Sequence, residues 1–565
     1  MRIPAPLKAY LRRFGGRKTL RKDLVAGVAL GVESVPDGLA AGVLAGVNPL
    51  FGLNAYMIGT FTGALTTGSV FMSIQATGAM SVILADVPEI QGALAATAIA
   101  TLTVMTGLIM LGLGLARLGS LVRFIPTAVL IGFVNAVAIN IILGQLDNLT
   151  GFTSTGANRL LRALDSALGM SHFSWPSLIV GAVTAAIILL LERTRIGALA
   201  MVVAVIVGSA TALLMPNQSV ATVGDLAEVT RSLPGISLPD PMLVLSLLVP
   251  ALSLALVGLV QGAAISGSVP NPDGKYPDAS ADFRGQGIAN IATGMLQGMP
   301  VGGSMSATSL VRAAGAKTAL ANLTAGVVML VTLLICGPLI EYVAMPALAA
   351  LLILIGIRTF KIHQIIMVWR TGTMQITVFL VTFVLTILIP LQYAVLVGVG
   401  LSIVMHIARQ SNRIRVLRWM FDDGTFHPRE VAPPAELPPR ETVILTAYGS
   451  LFFASAQSFR AQLPEPTAAS AGATVVIRLR GTEELGVTFL TMIRDYAADL
   501  RRNGATLMIT GVEPRLAHQL DATGVGAIVG EGNIFPLRRR LGDSLDDALN
   551  AIKDRGTQYD GDHER

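Results

Sequence analysis

Cysteine is nearly absent from this sequence: Cys336 is the single one in 565 residues. One thiol cannot build a disulfide framework or a cysteine-based metal site. Charge is scarce too. Charged residues make up 13% of the chain, where a soluble domain carries about 25%, so most of this chain is not built to face water. No Lys or Arg occurs between Lys22 and Arg117. Histidines are few, and His172, His363, His406 and His427 fall in loops or at helix ends without metal-ligand spacing. The chain has no nucleophile motif and no glycine-rich phosphate loop ending in Lys, so enzyme chemistry and ATP-driven pumping have no support.

Apolar length is what the sequence has. Hydrophobic residues make up 53%, and a membrane-crossing helix needs about 20 largely apolar residues. Candidate spans run near 24–46, 49–66, 92–115, 124–146, 175–191, 196–215, 242–266, 318–340, 342–358, 373–389 and 391–408. The stretch 283–298 is weakly apolar, and 76–86 and 303–313 are too short to cross alone. Together these predict a mainly α, multi-pass membrane protein of fourteen segments. Residues 1–22 are basic and lead into a span containing Glu33, Pro36 and Asp37, which predicts a retained cytoplasmic tail rather than a cleaved signal. Counting from a cytoplasmic start, Arg117, Arg123, Arg193, Arg195, Lys275, Arg284, Arg312, Lys317, Arg358, Lys361 and Arg370 share the cytoplasmic side, as do Arg409, Arg413, Arg415 and Arg418. Arg159, Arg162 and Arg231 fall outside. This bias accounts for the formal net charge of +6 without a nucleic-acid partner.

The stretch Gly298–Arg312 carries the main functional signal. Pro300, Gly302 and Gly303 break it, and it resumes as a short helical run with hydroxyls at Ser304, Ser306, Thr308 and Ser309. Irregular backbone at membrane depth is tolerated where it is packed in protein or lines a polar cavity. A helix starting there aims unpaired N–H groups and a positive dipole end into that cavity, which suits an anion. The two short segments are third and tenth, the same place in each half of seven. Short, interrupted segments at matching positions point to a transporter of inverted repeats with its site between them. The same small residues also permit close helix packing.

Past the spans, composition changes. Residues 419–440, with five prolines from Pro428 to Pro439, predict an extended linker. Strand-like runs at Val443–Tyr448, Val475–Leu479 and Thr506–Thr510 then alternate with helical ones at Phe489–Arg502 and Pro514–Thr523. That alternation predicts a small cytoplasmic α/β domain over 441–553, and 554–565 reads as a disordered tail.

Several local signatures, in this order and spacing, resemble the SulP family of anion transporters, which join a seven-plus-seven membrane domain of uracil-permease type to a C-terminal STAS domain. They are Asp23–Gly27 with Val35–Pro36 and Gly38–Ala40, Ala45–Leu53, Thr77–Val82, Gly285–Ile291 and Gly298–Pro300. The resemblance implies an anion held between the starts of segments three and ten. Its pocket would be Thr77, Gly78 and Ala79 facing Gly303, Ser304, Met305 and Ser306, with Pro36 from segment one and Gln261 from segment eight. It also implies a homodimer in the cytoplasmic membrane with both termini inside, no cofactor, and a transport domain spanning 23–418. Segments one to four and eight to eleven would form a core that moves against a gate of the remaining six.

The departures from the family are as informative. Segment eight usually carries a carboxylate where this chain has Gln261 and Gly262, and segment one usually has Gln after its proline where this chain has Asp37. An ionisable residue in a span is by default a functional candidate. Asp37, with Glu33 one turn earlier, is therefore the candidate site for a coupled Na⁺ or H⁺; pairing with Arg or facing a water-filled vestibule is the alternative. Ala307 stands where relatives often place Arg, and Gln75–Ala76 where Gly-Pro is common. In the STAS loop Gly481–Thr488, Gly486 and Val487 replace the Asp-Ser of phosphorylated relatives, which leaves packing, dimer contact or regulation by a cytoplasmic partner. The expected activity is secondary transport of a small inorganic or carboxylate anion of the sulfate, bicarbonate, chloride or dicarboxylate class. Two alternatives stand beside it: a nucleobase-type permease, which would want acidic side chains at Gln261 and Ser304, and a STAS-signalling sensor with little transport.

Overall fold

The computed structural model describes residues 12–92, 94–119, 126–156, 158–194, 197–215, 220–226, 233–411, 414–421 and 427–561. Residues 1–11 of the basic N-terminal stretch, and Arg123, Arg195, Arg231 and Arg413 of the topology argument, lie outside these. The chain forms two compact units, Met1–Ser402 and Ile403–Arg565.

The first unit contains the helices α1 (Arg17–Leu44), α2 (Pro49–Thr66), α3 (Gly78–Ala85), α4 (Ala95–Leu115), α5 (Thr127–Gly144), α6 (Trp175–Leu191) and α7 (Ala200–Leu213). Seven principal helices follow, with the shorter Ile362–Thr371 between the fifth and sixth: α8 (Leu248–Ser268), α9 (Ala279–Met295), α10 (Met305–Ala313), α11 (Leu320–Ile340), α12 (Met345–Thr359), α13 (Thr373–Leu388) and α14 (Leu391–Ser411), the last continuing past the boundary at Ser402. Six helices among the described residues are long and apolar enough to cross a bilayer. Starts are marked by capping side chains followed by proline: Asn48 accepts from Leu50 N ahead of Pro49, and Ser174 from Ser177 N ahead of Pro176.

Packing divides these helices into two sets. In one, α1 packs on α2 and α11, α9 on α2 and α4, and α8 on α4. In the other, α5 packs on α12 and α13, and α6 on α7 and α12. The first set is rich in buried polar groups. Asp23 is fully buried, and its carboxylate accepts from Lys317 N (2.6 Å), Thr318 N (2.9 Å) and Thr318 Oγ1 (2.9 Å), which seats the first turns of α1 against the start of α11. This explains why α1 begins at Arg17, seven residues ahead of the apolar run. Asp282 on α9 is buried too, accepting from Ser69 N (2.8 Å), Ser69 Oγ (2.6 Å) and Ser266 Oγ (2.5 Å).

The second unit is a six-stranded sheet in the order β4-β3-β5-β6-β7-β8. Its strands are β3 (Arg415–Phe421), β4 (Pro428–Val431), β5 (Thr442–Tyr448), β6 (Thr474–Arg478), β7 (Thr506–Val512) and β8 (Ile534–Pro536). Strands β5 to β8 pair in parallel, while β3 runs antiparallel to both β4 and β5. One face packs on Phe489, Ile493 and Tyr496 of α15 (Val487–Arg502) and on Leu516 and Leu520 of α16 (Pro514–Ala522). Helix α17 (Val525–Val529) adds Val525 and Val529 to that side, and α18 (Asp543–Gly561) covers the other face through Leu545 and Ala548 on Ile444, Val476 and Met508.

Two boundaries differ from those read in composition. Residues 419–440 are not simply a linker, because β3 and β4 form a hairpin on the sheet. Trp419 anchors it: its ring lies 3.7 Å beneath the Arg478 guanidinium, and its Nε1 donates to Glu430 (3.1 Å). Tyr448 donates to the same carboxylate, a bond that raises the phenol pKa and keeps it a donor. Pro428 opens the edge strand β4, where a missing N–H costs little. The expected tail is likewise shorter, since α18 continues to Gly561. A helix nucleated on an apolar stripe propagates readily into polar sequence. Residues 422–426 and 562–565 lie outside the described set.

Candidate functional site

The two interrupted segments meet. Strand β1 (Ser73–Gln75) pairs antiparallel with β2 (Gly302–Ser304), with Ser73 opposite Ser304, Ile74 opposite Gly303 and Gln75 opposite Gly302. Each short strand then turns into a half-helix. Thr77 caps α3 by accepting from Met80 N, and Ser304 caps α10 by accepting from Ala307 N, both at 3.4 Å. The N–H groups of Gly78 and Ala79, and of Met305 and Ser306, lie in first turns that have no intrahelical acceptors. Each start therefore offers donors and the positive end of a dipole. Hydroxyls add to this: Thr77 Oγ1 donates to Gln261 Oε1 (3.0 Å), and Ser304 and Ser306 Oγ lie 3.1 Å apart.

Close backbone contact holds the second start. A Cβ on Gly303 would lie 2.9 Å from Gly262 Cα, and one on Gly302 would lie 3.0 Å from Gly258 Cα. Gly258 and Gly262, one turn apart on α8, thus form a bare strip on which β2 lies. Helix α9 grips the same strand from behind. Asn290 accepts from Val301 N (2.9 Å) and donates to Val301 O (2.7 Å), and Gln286 Oε1 accepts from Gly303 N (3.2 Å).

Strand β1 is held by other elements. Ser73 N donates to Thr308 Oγ1 (3.1 Å), Ser73 Oγ to Asn322 (2.7 Å), and Gln75 Nε2 to Ser34 Oγ (2.9 Å). The last bond draws α1 to the site through the residue between Glu33 and Val35. Pro36 is buried. Asp37 has a buried Oδ1 with no hydrogen-bond partner. Arg358 of α12 lies within electrostatic range of Asp37 and pairs with Glu192 at 2.5 Å.

Two cavities flank this region. One of about 960 Å³ is lined by Val260, Ala263 and Ala264, neighbours of Gln261 on α8, together with Leu130, Arg117 and Arg284. The other, of about 870 Å³, is lined by Leu44, Asp86, Asp147, Arg159 and Arg162 among others. Thr77 and Ser304 line neither; Leu44, which lines the second, lies 3.9 Å from where a Gly78 Cβ would be.

Of the residues singled out in the sequence, Thr77, Gly78, Ala79, Gly303, Ser304, Met305, Ser306 and Gln261 are brought together. Pro36, Glu33 and Asp37 lie on α1, which the Ser34–Gln75 bond joins to β1. Met305 and Ser306 are exposed, whereas Ser304 is buried. The sequence reading missed the residues behind the strands: Asn290, Gln286 and Asn322, and Ile141 of α5, whose Cδ1 would lie 2.8 Å from a Gly78 Cβ. A signal existed for part of this, because Asp282, Gln286 and Asn290 recur every four residues and so share one face of α9. Among the described residues, no group of three His, Cys, Asp or Glu side chains could hold a metal ion.

This arrangement defines a multi-pass membrane protein of the inverted-repeat transporter type, followed by an α/β domain. Residues 20–382 match the sulfate permease family and residues 434–547 the STAS domain. The chain belongs to the sulfate permease family, whose members are transporters and not enzymes. It is 25% identical over 540 residues to the putative sulfate transporter YvdB of Bacillus subtilis (strain 168), covering 93% of this chain and 98% of that protein. The structure of the murine Slc26a9 anion transporter in the inward-facing state superposes with a TM-score of 0.86 at 19% identity, over 97% of this chain and 94% of that one. The transmembrane domain of the cyanobacterial bicarbonate transporter BicA gives a TM-score of 0.59 at 22% identity, over 69% and 98%. The two structures show that the fold is shared.

Proposed function

We propose that this protein is a secondary transporter or exchanger that moves a small anion across the cytoplasmic membrane by alternating access. The anion lies between the starts of α3 and α10, against Thr77, Gly78 and Ala79 on one side and Gly303, Ser304, Met305 and Ser306 on the other, with Gln261 and Pro36 at its edge. The antiparallel β1–β2 pairing carries this reading, because it sets two half-helix starts side by side. A site of neutral donors binds weakly enough to release its ion. Helices α1–α4 and α8–α11 would move against α5–α7 and α12–α14. Sulfate and bicarbonate, the anions named for YvdB and BicA, are the first substrates to try. With no Arg at position 307, monovalent anions and bicarbonate are better suited than sulfate.

Asp37, with Glu33 as its neighbour, would hold the coupled H⁺ or Na⁺ that relatives hold on their eighth segment. The basic residues favour cytoplasmic termini. A homodimer and a cytoplasmic partner for the STAS domain complete the proposal. The test is uptake by proteoliposomes of sulfate, bicarbonate, chloride, nitrate and dicarboxylates, with and without H⁺ and Na⁺ gradients. Saturable uptake of at least one anion is expected. Uptake of a neutral nucleobase with none of the anions would overturn the reading.

A further inference from the structure

Between the end of α5 and the start of α6 lies the helix Arg159–Leu168, Arg-Leu-Leu-Arg-Ala-Leu-Asp-Ser-Ala-Leu. Its polarity is reversed relative to a helix on a water-soluble surface. The polar face turns toward the protein, with Arg159 and Ser166 inward and Arg162 and Asp165 bonded at its edge. Arg159 pairs with Asp86 at the end of α3 (2.9 Å) and donates to Val82 O (3.3 Å). Arg162 pairs with Asp147 (2.8 Å), Ser166 donates to the same carboxylate (3.2 Å), and Asp165 accepts from Thr155 N (2.7 Å). The leucines turn outward: Leu161 is 47% exposed, Leu164 53% and Leu168 88%.

A helix in water puts its apolar stripe against the core. This one presents that stripe to its surroundings just where the chain passes from one spanning segment to the next. The apolar surface continues beyond it, through the exposed side chains of Met170, Trp175 and Ile179 into the flank of α6. Tryptophan at the start of a span suits the headgroup level. Arg159 is turned inward, and Arg162, though half-exposed, is held by Asp147 at the edge of the polar face, so no cation lies among the outward leucines.

We propose that Arg159–Leu168 is seated in the membrane interface, its leucines in the acyl boundary of the bilayer and its arginines turned back onto the transporter. The occupant of its outer face is lipid. A consequence follows for α3. Asp86 accepts from Arg159 and also from Leu391 N at the start of α14 (3.0 Å), so this helix braces the far end of the half-helix whose start lies at the candidate site. On the alternating-access reading, the brace has to yield when the pathway opens on this side.

The seating is tested on the full chain in phosphatidylcholine–phosphatidylglycerol vesicles, with Cys336→Ala as background. Nitroxide labels are placed at Leu164→Cys and, separately, at Leu168→Cys. Collision with oxygen is expected to exceed collision with a water-soluble nickel chelate several-fold at both positions. Nickel accessibility equal to or above that of oxygen would overturn the proposal, and so would low accessibility to both, which would mean that protein covers the face. Should a nitroxide disturb folding, bimane at the same positions gives the second readout. Quenching by doxyl lipid, and not by aqueous iodide, is then expected, and the reverse would overturn the proposal. Neither measurement depends on transport, so a failure of the anion reading leaves it intact.

Discussion

The half-helices α3 and α10 hold equivalent places in the two halves of the membrane unit, yet they are held in different ways. The approach to α10 is fixed by backbone packing and by α9: Gly302 and Gly303 lie on the bare strip of α8, while Asn290 and Gln286 satisfy the strand from behind. The approach to α3 also lies on a bare strip, Gly59 and Gly63 of α2 beneath Ile74, and is bonded by Thr60, Ser34, Asn322 and Thr308; what sets it apart is its far end, tied by Asp86 to Arg159 and to Leu391 N. Inverted repetition supplies the symmetric pairing of two starts. The supports are asymmetric, with α10 embedded in its own helix set and α3 bonded across to the other. If the proposed motion occurs, α3 is the half-helix that feels it.

The sharpest way to break this comparison is to add a side chain at each start. A leucine at Gly303 would drive its Cβ to within 2.9 Å of Gly262 Cα, backbone that cannot give way. Gly303→Leu is expected to abolish anion uptake, with a destabilisation of about 3 kcal/mol or more by overpacking. Gly78→Ala meets only Ile141 Cδ1, the free end of a flexible side chain. It should keep measurable uptake and a melting temperature near that of the parent, read by liposome flux and thermal unfolding in detergent. Equal loss in both variants would show that the two starts are equally rigid.

A second, smaller difference separates the clamps. Asn290→Ala leaves both Val301 N and Val301 O unpaired in a buried place. Each orphaned group costs about 1–3 kcal/mol, so a clear fall in thermal stability is expected together with reduced flux. Ser34→Ala removes one donor–acceptor pair on the α3 side. Its stability cost should be about 1 kcal/mol, and a larger loss than for Asn290→Ala would reverse the ranking.

Much of the α10 side was legible in the sequence, and its support was not. Proline and paired glycines inside an apolar stretch mark a break whatever surrounds them, so Gly298–Arg312 identified itself, and position in the second half gave its counterpart at Thr77. Ser304 and Thr77 announce helix starts through capping preference. Asn290 and Gln286 do not announce a clamp, because the strand they satisfy is three residues long and becomes visible only when β1 and β2 meet. The stretch 283–298 counts among the fourteen segments although weakly apolar, and the polar residues that lower its hydropathy, Gln286 and Asn290, are the ones that hold β2. In the STAS unit, β5 to β7 show as apolar runs. The hairpin β3–β4 was masked by its prolines and by a pairing that spans the loop between them. Nothing in the residues of α1 revealed whether Asp37 faces the starts or Arg358; that depends on how α12 lies beside α1.

The caps give a third contrast. Thr77→Val keeps shape but loses both the acceptor for Met80 N and the donor to Gln261. Ser304→Ala loses the acceptor for Ala307 N and the contact with Ser306. Each cap is worth about 1 kcal/mol, so a rise in KM of about five-fold for the anion is expected in each. Because Thr77 also orients Gln261, its variant should show the larger rise, and a larger effect at Ser304 would place the tighter grip on the anion on α10.

The smallest expected effect on maximal flux, and the most selective, belongs to Asp37→Asn. Asparagine keeps the size and the hydrogen-bonding capacity of the side chain but can neither take up a proton nor carry charge. If Asp37 holds the coupled ion, maximal uptake driven by the anion's own gradient should fall only a few-fold, while the response to imposed H⁺ or Na⁺ gradients disappears. Gln75→Ala on its own sharpens this, because Ser34–Gln75 is the hydrogen bond that joins this stretch of α1 to the α3 side. Without it, the gradient response should weaken although Asp37 is intact. Retained pH and Na⁺ dependence in Asp37→Asn would remove α1 from the coupling, and Glu33→Gln then decides whether the neighbouring carboxylate holds that role.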